Sequence, residues 1–196
     1  MEDHHQKIAE EHLFFFEQET VTVEDFKAEG FILDIGGGGE GIIGKLKGKQ
    51  VIAIDANKRE LEEAATGPLK IVMDATDLKF LDESFKTATA FYTLMYIKEN
   101  ALRQVFGEVH RVLAPGGRFL IWDVILPPRI ENEKDVAVFL LTVILGEETV
   151  ETGYGMLWSE EGRSASTYAE LAKRAGFAVV AQQAEGRRLF LELKKL

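Results

Sequence analysis

Two hydrophobic rhythms alternate along the chain. Short apolar runs carry an aspartate at or near their carboxyl end, in Phe31 to Ile35, Val51 to Asp55 and Lys70 to Asp74, one every twenty residues or so. Between and after them, apolar residues recur at three-and-four spacing, most clearly at Leu102, Val105, Phe106, Val109, Val112 and Leu113. The first rhythm predicts strands covered on both faces, and the second predicts amphipathic helices. Asn57 followed by Glu60 reads as a capping box opening a helix through Leu61, Ala64 and Ala65. Asn100 reads as the cap of the helix that Pro115-Gly116-Gly117 ends. A fourth strand is predicted over 88–94, a fifth over 118–123, a helix over 165–175 closed by Gly176, and a closing pair over 177–182 and 187–193 around Glu185-Gly186.

Alternation of this kind predicts an α/β fold with a parallel sheet and right-handed crossovers. If the three acid-bearing strands are parallel neighbours, Asp34, Asp55 and Asp74 reach one carboxyl edge, where open α/β sheets bind ligands. Two segments depart from the rhythm. Glu2 to Gln18 reads as a helix that turns aromatic at Phe14, Phe15 and Phe16, so that residues 1–29 form a helical cap. Within 125–164, runs 135–145 and 149–158 around Gly146 read as an inserted β-hairpin, with a buried helix over 136–145 as the rival.

With 196 residues and 46% hydrophobic content, the chain suits one well-buried core, so 1–196 is expected to be a single domain. A net charge of −10 argues against nucleic acid, whose phosphates require clustered cations. Having no cysteine, the protein has no disulfide, thiolate zinc site or cysteine nucleophile. The ten residues Val136 to Leu145 fall short of the roughly 20 that span a bilayer, so no membrane association is expected. The charged start of the chain resembles no signal peptide, which favours the cytoplasm. His4, His5 and His12 match no metal-ligand spacing, so no metal site is expected.

The candidate chemistry lies in Gly36-Gly37-Gly38-Gly39-Glu40-Gly41. Taken literally, Gly36-x-Gly38-x-x-Gly41 with Asp55 downstream satisfies the dinucleotide fingerprint, which leaves an NAD-dependent oxidoreductase open. Three further features, in order along the chain, point elsewhere: Leu33-Asp34-x-Gly36-x-Gly38, then Met73-Asp74-Ala75, then Leu113-Ala114-Pro115-Gly116-Gly117-Arg118-Phe119. Together they resemble the class I S-adenosylmethionine-dependent methyltransferase family over about residues 30–123. The resemblance implies a Rossmann-like, doubly wound, seven-stranded, mostly parallel sheet with a reversed last strand, here with the hairpin inserted after strand five. It also implies S-adenosyl-L-methionine as cofactor and S-adenosyl-L-homocysteine as product.

By that resemblance, Asp34 and the backbone of Gly36, Gly37 and Gly38 serve the methionyl end, and Asp55, with Ala56 beside it, serves the ribose hydroxyls. Asp74 and Ala75 serve the adenine, and Phe91 or Tyr92 lines the methionyl side. The chain departs from the family in two places: Glu40 stands where a third glycine is usual, and Lys86 where strand four often opens with an acid. Tyr92-Thr93-Leu94-Met95 does not resemble the Asn-Pro-Pro-Tyr motif of amino-directed nucleic-acid methyltransferases, and with the acidic composition this favours a small-molecule acceptor. Tyr96, Tyr154 and Trp158 are the expected lining of its pocket. Methyl transfer from a sulfonium obliges no catalytic residue; if a base is needed, Tyr92, Tyr96, Asp123 and Tyr154 are the candidates. A non-catalytic, cofactor-binding assembly module that forms a homodimer through 125–164 remains the alternative of a different class.

Overall fold

The computed structural model of the protein describes residues 10–129 and 134–196. His4, His5 and the start of the expected first helix lie outside them. In chain order the strands are β1 (Leu13–Phe15), β2 (Glu19–Thr22), β3 (Ile32–Ile35), β4 (Val51–Asp55), β5 (Leu69–Val72), β6 (Phe85–Phe91), β7 (Leu113–Val124), β8 (Val136–Leu145), β9 (Glu148–Leu157), β10 (Phe177–Glu185) and β11 (Arg188–Lys195). The helices are α1 (Ile42–Lys47), α2 (Lys58–Glu63), α3 (Glu99–Val112) and α4 (Ala165–Arg174), with a 3₁₀ turn at Leu94–Tyr96. Two compact units are distinguished by their internal contacts: 24–126 with 163–196, and, among the described residues, 10–23 with 127–129 and 134–162.

The larger unit holds a seven-stranded sheet in the order β10-β11-β7-β6-β3-β4-β5. The strands from β3 to β7 run parallel, and β11 lies antiparallel to both β7 and β10, giving the reversed last strand. Helix α3 buries Leu102, Val105, Phe106, Val109 and Val112, so its three-and-four spacing becomes one core-facing stripe. Phe106 meets Phe119 of β7 edge to face, and Tyr168 and Leu171 of α4 join the same core. Arg111, at the outer edge of α3, donates to Leu78 O, Phe80 O, Asp82 and Glu108, which ties down the connection between β5 and β6.

Helix α3 begins at Glu99, and Asn100 caps nothing beyond the amide of Ala101. At α2, Asn57 is the cap, but it takes the amide of Arg59, and no capping box with Glu60 forms.

The smaller unit is a four-stranded sheet. Strand β8 pairs antiparallel with β9, as the hairpin pattern predicts, and parallel with β1 and β2. This corrects the described part of the expected amino-terminal helix, since Leu13–Phe15 and Glu19–Thr22 are strands. Leu13–Phe15 and Glu19–Thr22 add to the apolar strand β8, and β-branched Thr-Val-Thr fits a pleated ladder better than a helix. Phe14, Phe16, Phe139 and Trp158 pack together with ring centroids 4.9–5.3 Å apart.

Candidate cofactor site

The neighbouring strands β3, β4 and β5 end together, and Asp34, Asp55 and Asp74 each lie within two residues of a strand's carboxyl end. The glycines that follow β3 turn the chain back onto β4 and α2: the amide of Gly37 donates to Ile54 O (3.0 Å) and that of Gly39 to Glu60 O (2.9 Å). Gly36 has φ +68°. A Cβ at Gly36 would lie 2.3 Å from the Thr93 side chain, one at Gly37 2.6 Å from Asp34 Oδ2, and one at Gly38 2.5 Å from Glu60 Cβ and 2.8 Å from Asp55 Oδ2. Real Cβ atoms do not approach so closely, so this turn is built for bare backbone beside two carboxylates.

The three aspartates differ in their surroundings. Asp34 is enclosed beneath the turn, accepts a 2.7 Å hydrogen bond from Thr89 Oγ1, and has its pKa pushed up to about 7, mainly by burial and further by the charge of Asp55. Asp55 is half-buried and accepts from the amide of Asn57 through Oδ1 (2.8 Å), while Oδ2 faces Gly38. Ala56 beside it is exposed. Asp74 is exposed and accepts from the amide and hydroxyl of Thr76, both at 2.8 Å, and the amide bond above all holds its pKa down. Ala75 packs half-buried against the core.

Glu60 adds a fourth carboxylate. Its pKa is raised by partial burial and by Asp55, Glu63 and Glu40. The turn therefore lies in a concentrated negative field, which suits a cationic ligand.

Phe91 and Tyr92 close β6. Both are buried, with rings 5.0 Å apart, and Tyr92 takes φ +46°, an uncommon conformation for a bulky residue. The residue brought against the glycine turn is Thr93, whose hydroxyl lies 3.0 Å from Phe91 O and 3.4 Å from Gly36 O. Sequence reasoning did not single out Thr93 or Thr89, and took Glu60 only as a capping residue; nothing in their spacing marks them.

Tyr96 is half exposed on the 3₁₀ turn, and burial of its hydroxyl with the nearby Asp123 charge raises its pKa and keeps the phenol protonated. Asp123, near the end of β7, is fully buried, and burial pushes its pKa up to about 7. Tyr154 and Trp158 belong to the smaller unit. There Tyr154 stands opposite Phe139, and Trp158 is buried with Nε1 donating to Pro127 O (2.9 Å).

Residues 33–121 match the model of a methyltransferase domain. A sterol methyltransferase-like protein of Botryococcus braunii is 32% identical over 127 residues, 58% of this chain and 32% of that protein. A ubiquinone/menaquinone biosynthesis C-methyltransferase of Desulfotalea psychrophila is 30% identical over 142 residues, 67% of this chain and 57% of that protein. The chain thus spans about a third of the first of these relatives and just over half of the second. A solved S-adenosylmethionine-dependent methyltransferase from Methanosarcina mazei shares the fold at TM-score 0.62 and 20% identity, covering 87% of this chain and 94% of that one.

A reversed strand beside a parallel sheet, a glycine turn flanked by aspartates and the matched domain define one class of protein. Residues 33–121 are a methyltransferase domain, and the fold around them is that of the S-adenosylmethionine-dependent methyltransferases of class I.

Proposed function

We propose that this protein transfers a methyl group from S-adenosylmethionine to a small-molecule acceptor. The observation that carries the proposal is the side-chain-free turn at Gly36, Gly37 and Gly38, set against Asp34 and Asp55 at the ends of adjacent parallel strands. S-adenosylmethionine supplies a methyl group activated on a sulfonium, so the protein's work is alignment and exclusion of water. In this assignment Asp55 accepts from both ribose hydroxyls, a task for two carboxylate oxygens, and Ala56 borders the ribose. Asp74 accepts from the adenine amino group and the Ala75 amide supports the ring. The backbone of Gly36 to Gly38 serves the amino-acid tail, Asp34 orients the turn from below, and Phe91 and Tyr92 form the wall on the methionyl side.

Tyr96, half exposed on the 3₁₀ turn of the larger unit, is assigned to the acceptor pocket. The names of the relatives, a sterol methyltransferase-like protein and a quinone-pathway C-methyltransferase, favour a small apolar acceptor. A cytoplasmic location and a homodimer formed through 125–164 complete the proposal. Strand β9, ten residues long with β8 as its only strand neighbour among the described residues, supports the dimer as a pairing edge.

The test is titration calorimetry with S-adenosylhomocysteine, followed by a screen of sterols, quinols and phenols with radiolabelled methyl donor. Saturable binding and label transfer to one acceptor class are expected. No heat of binding by the folded protein contradicts the proposal. Gel filtration of a hairpin deletion tests the dimer, and a dimer that persists without the hairpin refutes that part.

A further inference from the structure

Beyond the residues assigned to the cofactor, the larger unit contains a half-buried arginine that grips one short turn, with a buried aspartate in its field. The 3₁₀ turn Leu94–Tyr96 follows β6 directly, and its few internal hydrogen bonds leave polar backbone groups to be satisfied from elsewhere. Arg163 takes the carbonyls: Nη1 donates to Leu94 O (2.7 Å) and Nη2 to Ile97 O (2.8 Å). Burial pushes the pKa of nearby Asp123 up to about 7 against the opposing pull of the Val124 amide, the Arg163 charge and the Leu94 and Met95 amides, and among the described residues its Oδ2 has no hydrogen-bond partner.

Both charged groups are themselves fixed. Asp123 Oδ1 accepts from the Val124 amide (2.8 Å). Arg163 exchanges two backbone hydrogen bonds with Leu126 (2.9 and 2.7 Å), and its guanidinium rests 5.5 Å from the ring centroid of fully buried Tyr168. Tyr168 in turn lies in α4, which begins in a capping box at Ser164 and Thr167.

The turn is connected to the glycine loop through one residue. Thr93 O accepts from the Tyr96 amide (3.1 Å), and the Thr93 side chain fills the space that a Cβ at Gly36 would need. Tyr92, one residue earlier, holds a positive φ that is strained for a bulky side chain and persists only where the surroundings enforce it. We propose that Arg163 is a positioning residue for cofactor binding that clamps the Leu94–Tyr96 turn and so holds Thr93 against Gly36. The proposal rests on the cofactor assignment above. A planar guanidinium fork bridging two carbonyls fixes one backbone geometry.

The test compares Arg163→Met, Arg163→Lys and the double variant Arg163→Met/Asp123→Asn, which leaves no unpaired buried charge if the single change does not fold. Each is measured by thermal melting, by calorimetry with S-adenosylhomocysteine, and by hydrogen exchange of the 92–98 segment. For folded Arg163→Met or the double variant, affinity is expected to fall about tenfold, the equivalent of one lost charged hydrogen bond. Exchange should rise in 92–98 while β3 and β4 stay protected, and Arg163→Lys, which keeps the charge but only one carbonyl contact, should recover part of the affinity.

Affinity within twofold of the parent protein in a folded double variant overturns the proposal, as does faster exchange spread evenly over the sheet. Should the parent protein itself not bind S-adenosylhomocysteine, the cofactor assignment fails. The exchange pattern of 92–98 then still decides whether the clamp exists.

Discussion

Gly38→Ala separates the shape of the turn from the flexibility of glycine. Gly38 does not have a positive φ, so alanine brings no left-handed strain there. The added methyl would instead sit 2.5 Å from Glu60 Cβ, 2.8 Å from Asp55 Oδ2 and 3.1 Å from the backbone carbon of Glu60. Ordinary carbon contacts are about 3.5–4.0 Å, so something must yield by about 1 Å. Glu60 is anchored in α2 and its carbonyl receives the Gly39 amide, which leaves the turn and the Asp55 carboxylate to move. Overpacking of this kind costs about 1–3 kcal/mol of stability.

In the proposed assignment, displacing Asp55 removes at least one charged hydrogen bond to a ribose hydroxyl, about 1.5–3 kcal/mol, or roughly 10- to 150-fold in affinity. Gly39→Ala is the control. Gly39 has φ +58°, and its Cβ would meet only the flexible end of Glu60, at 3.2 Å. Alanine there costs about 1–2 kcal/mol of backbone strain and leaves Asp55 in place. Urea unfolding and calorimetry with S-adenosylhomocysteine on both variants give the comparison. Gly38→Ala binding within threefold of the parent, or Gly39→Ala losing affinity to the same degree, refutes the reasoning.

Two other carboxylates yield further expectations. Glu60→Gln removes one charge from the field around the turn, so affinity for cationic S-adenosylmethionine should fall more than affinity for neutral S-adenosylhomocysteine, by about 2- to 5-fold at low salt and less at high salt; an unchanged ratio of the two, measured by calorimetry without acceptor, contradicts this. The raised pKa of Asp34 means that the folded state holds its proton more tightly than the unfolded state, so its ionisation lowers stability as pH rises from about 4 to about 7 and adds nothing further above that. The rise from 3.8 to about 7 corresponds to roughly 4 kcal/mol at most. Asp34→Asn should therefore gain stability relative to the parent protein between pH 5 and 7.5; a constant difference in urea midpoints across that range counts against it.

Much of the larger unit was legible because its signals are local. Apolar runs with an aspartate at or near their end became β3 and β4, with Asp74 just beyond β5, and the stripe from Leu102 to Val112 became the buried face of α3. The amino-terminal segment was misread because its structure is set by a distant partner. Phe14 pairs with Ala137, and Val21 with Val143, and no periodicity within 13–22 announces a parallel neighbour so far along the chain. The same limit hid the role of Thr93, a residue of ordinary type whose importance comes from lying beside Gly36. Glu60 showed the opposite failure: its spacing from Asn57 fitted a local motif, while its side chain is turned toward Gly38 and Gly39.

The most direct measurement is calorimetric titration of S-adenosylhomocysteine into the parent protein and into Asp55→Ala, with circular dichroism to verify folding. Asp55 lies at a strand end, half exposed, and its side chain accepts from the nearby Asn57 amide within the same turn, so the alanine variant should fold normally. Saturable binding by the parent protein and loss of at least about 100-fold in the variant, the worth of two charged hydrogen bonds, are predicted. Equal affinity in a folded Asp55→Ala protein would contradict the account.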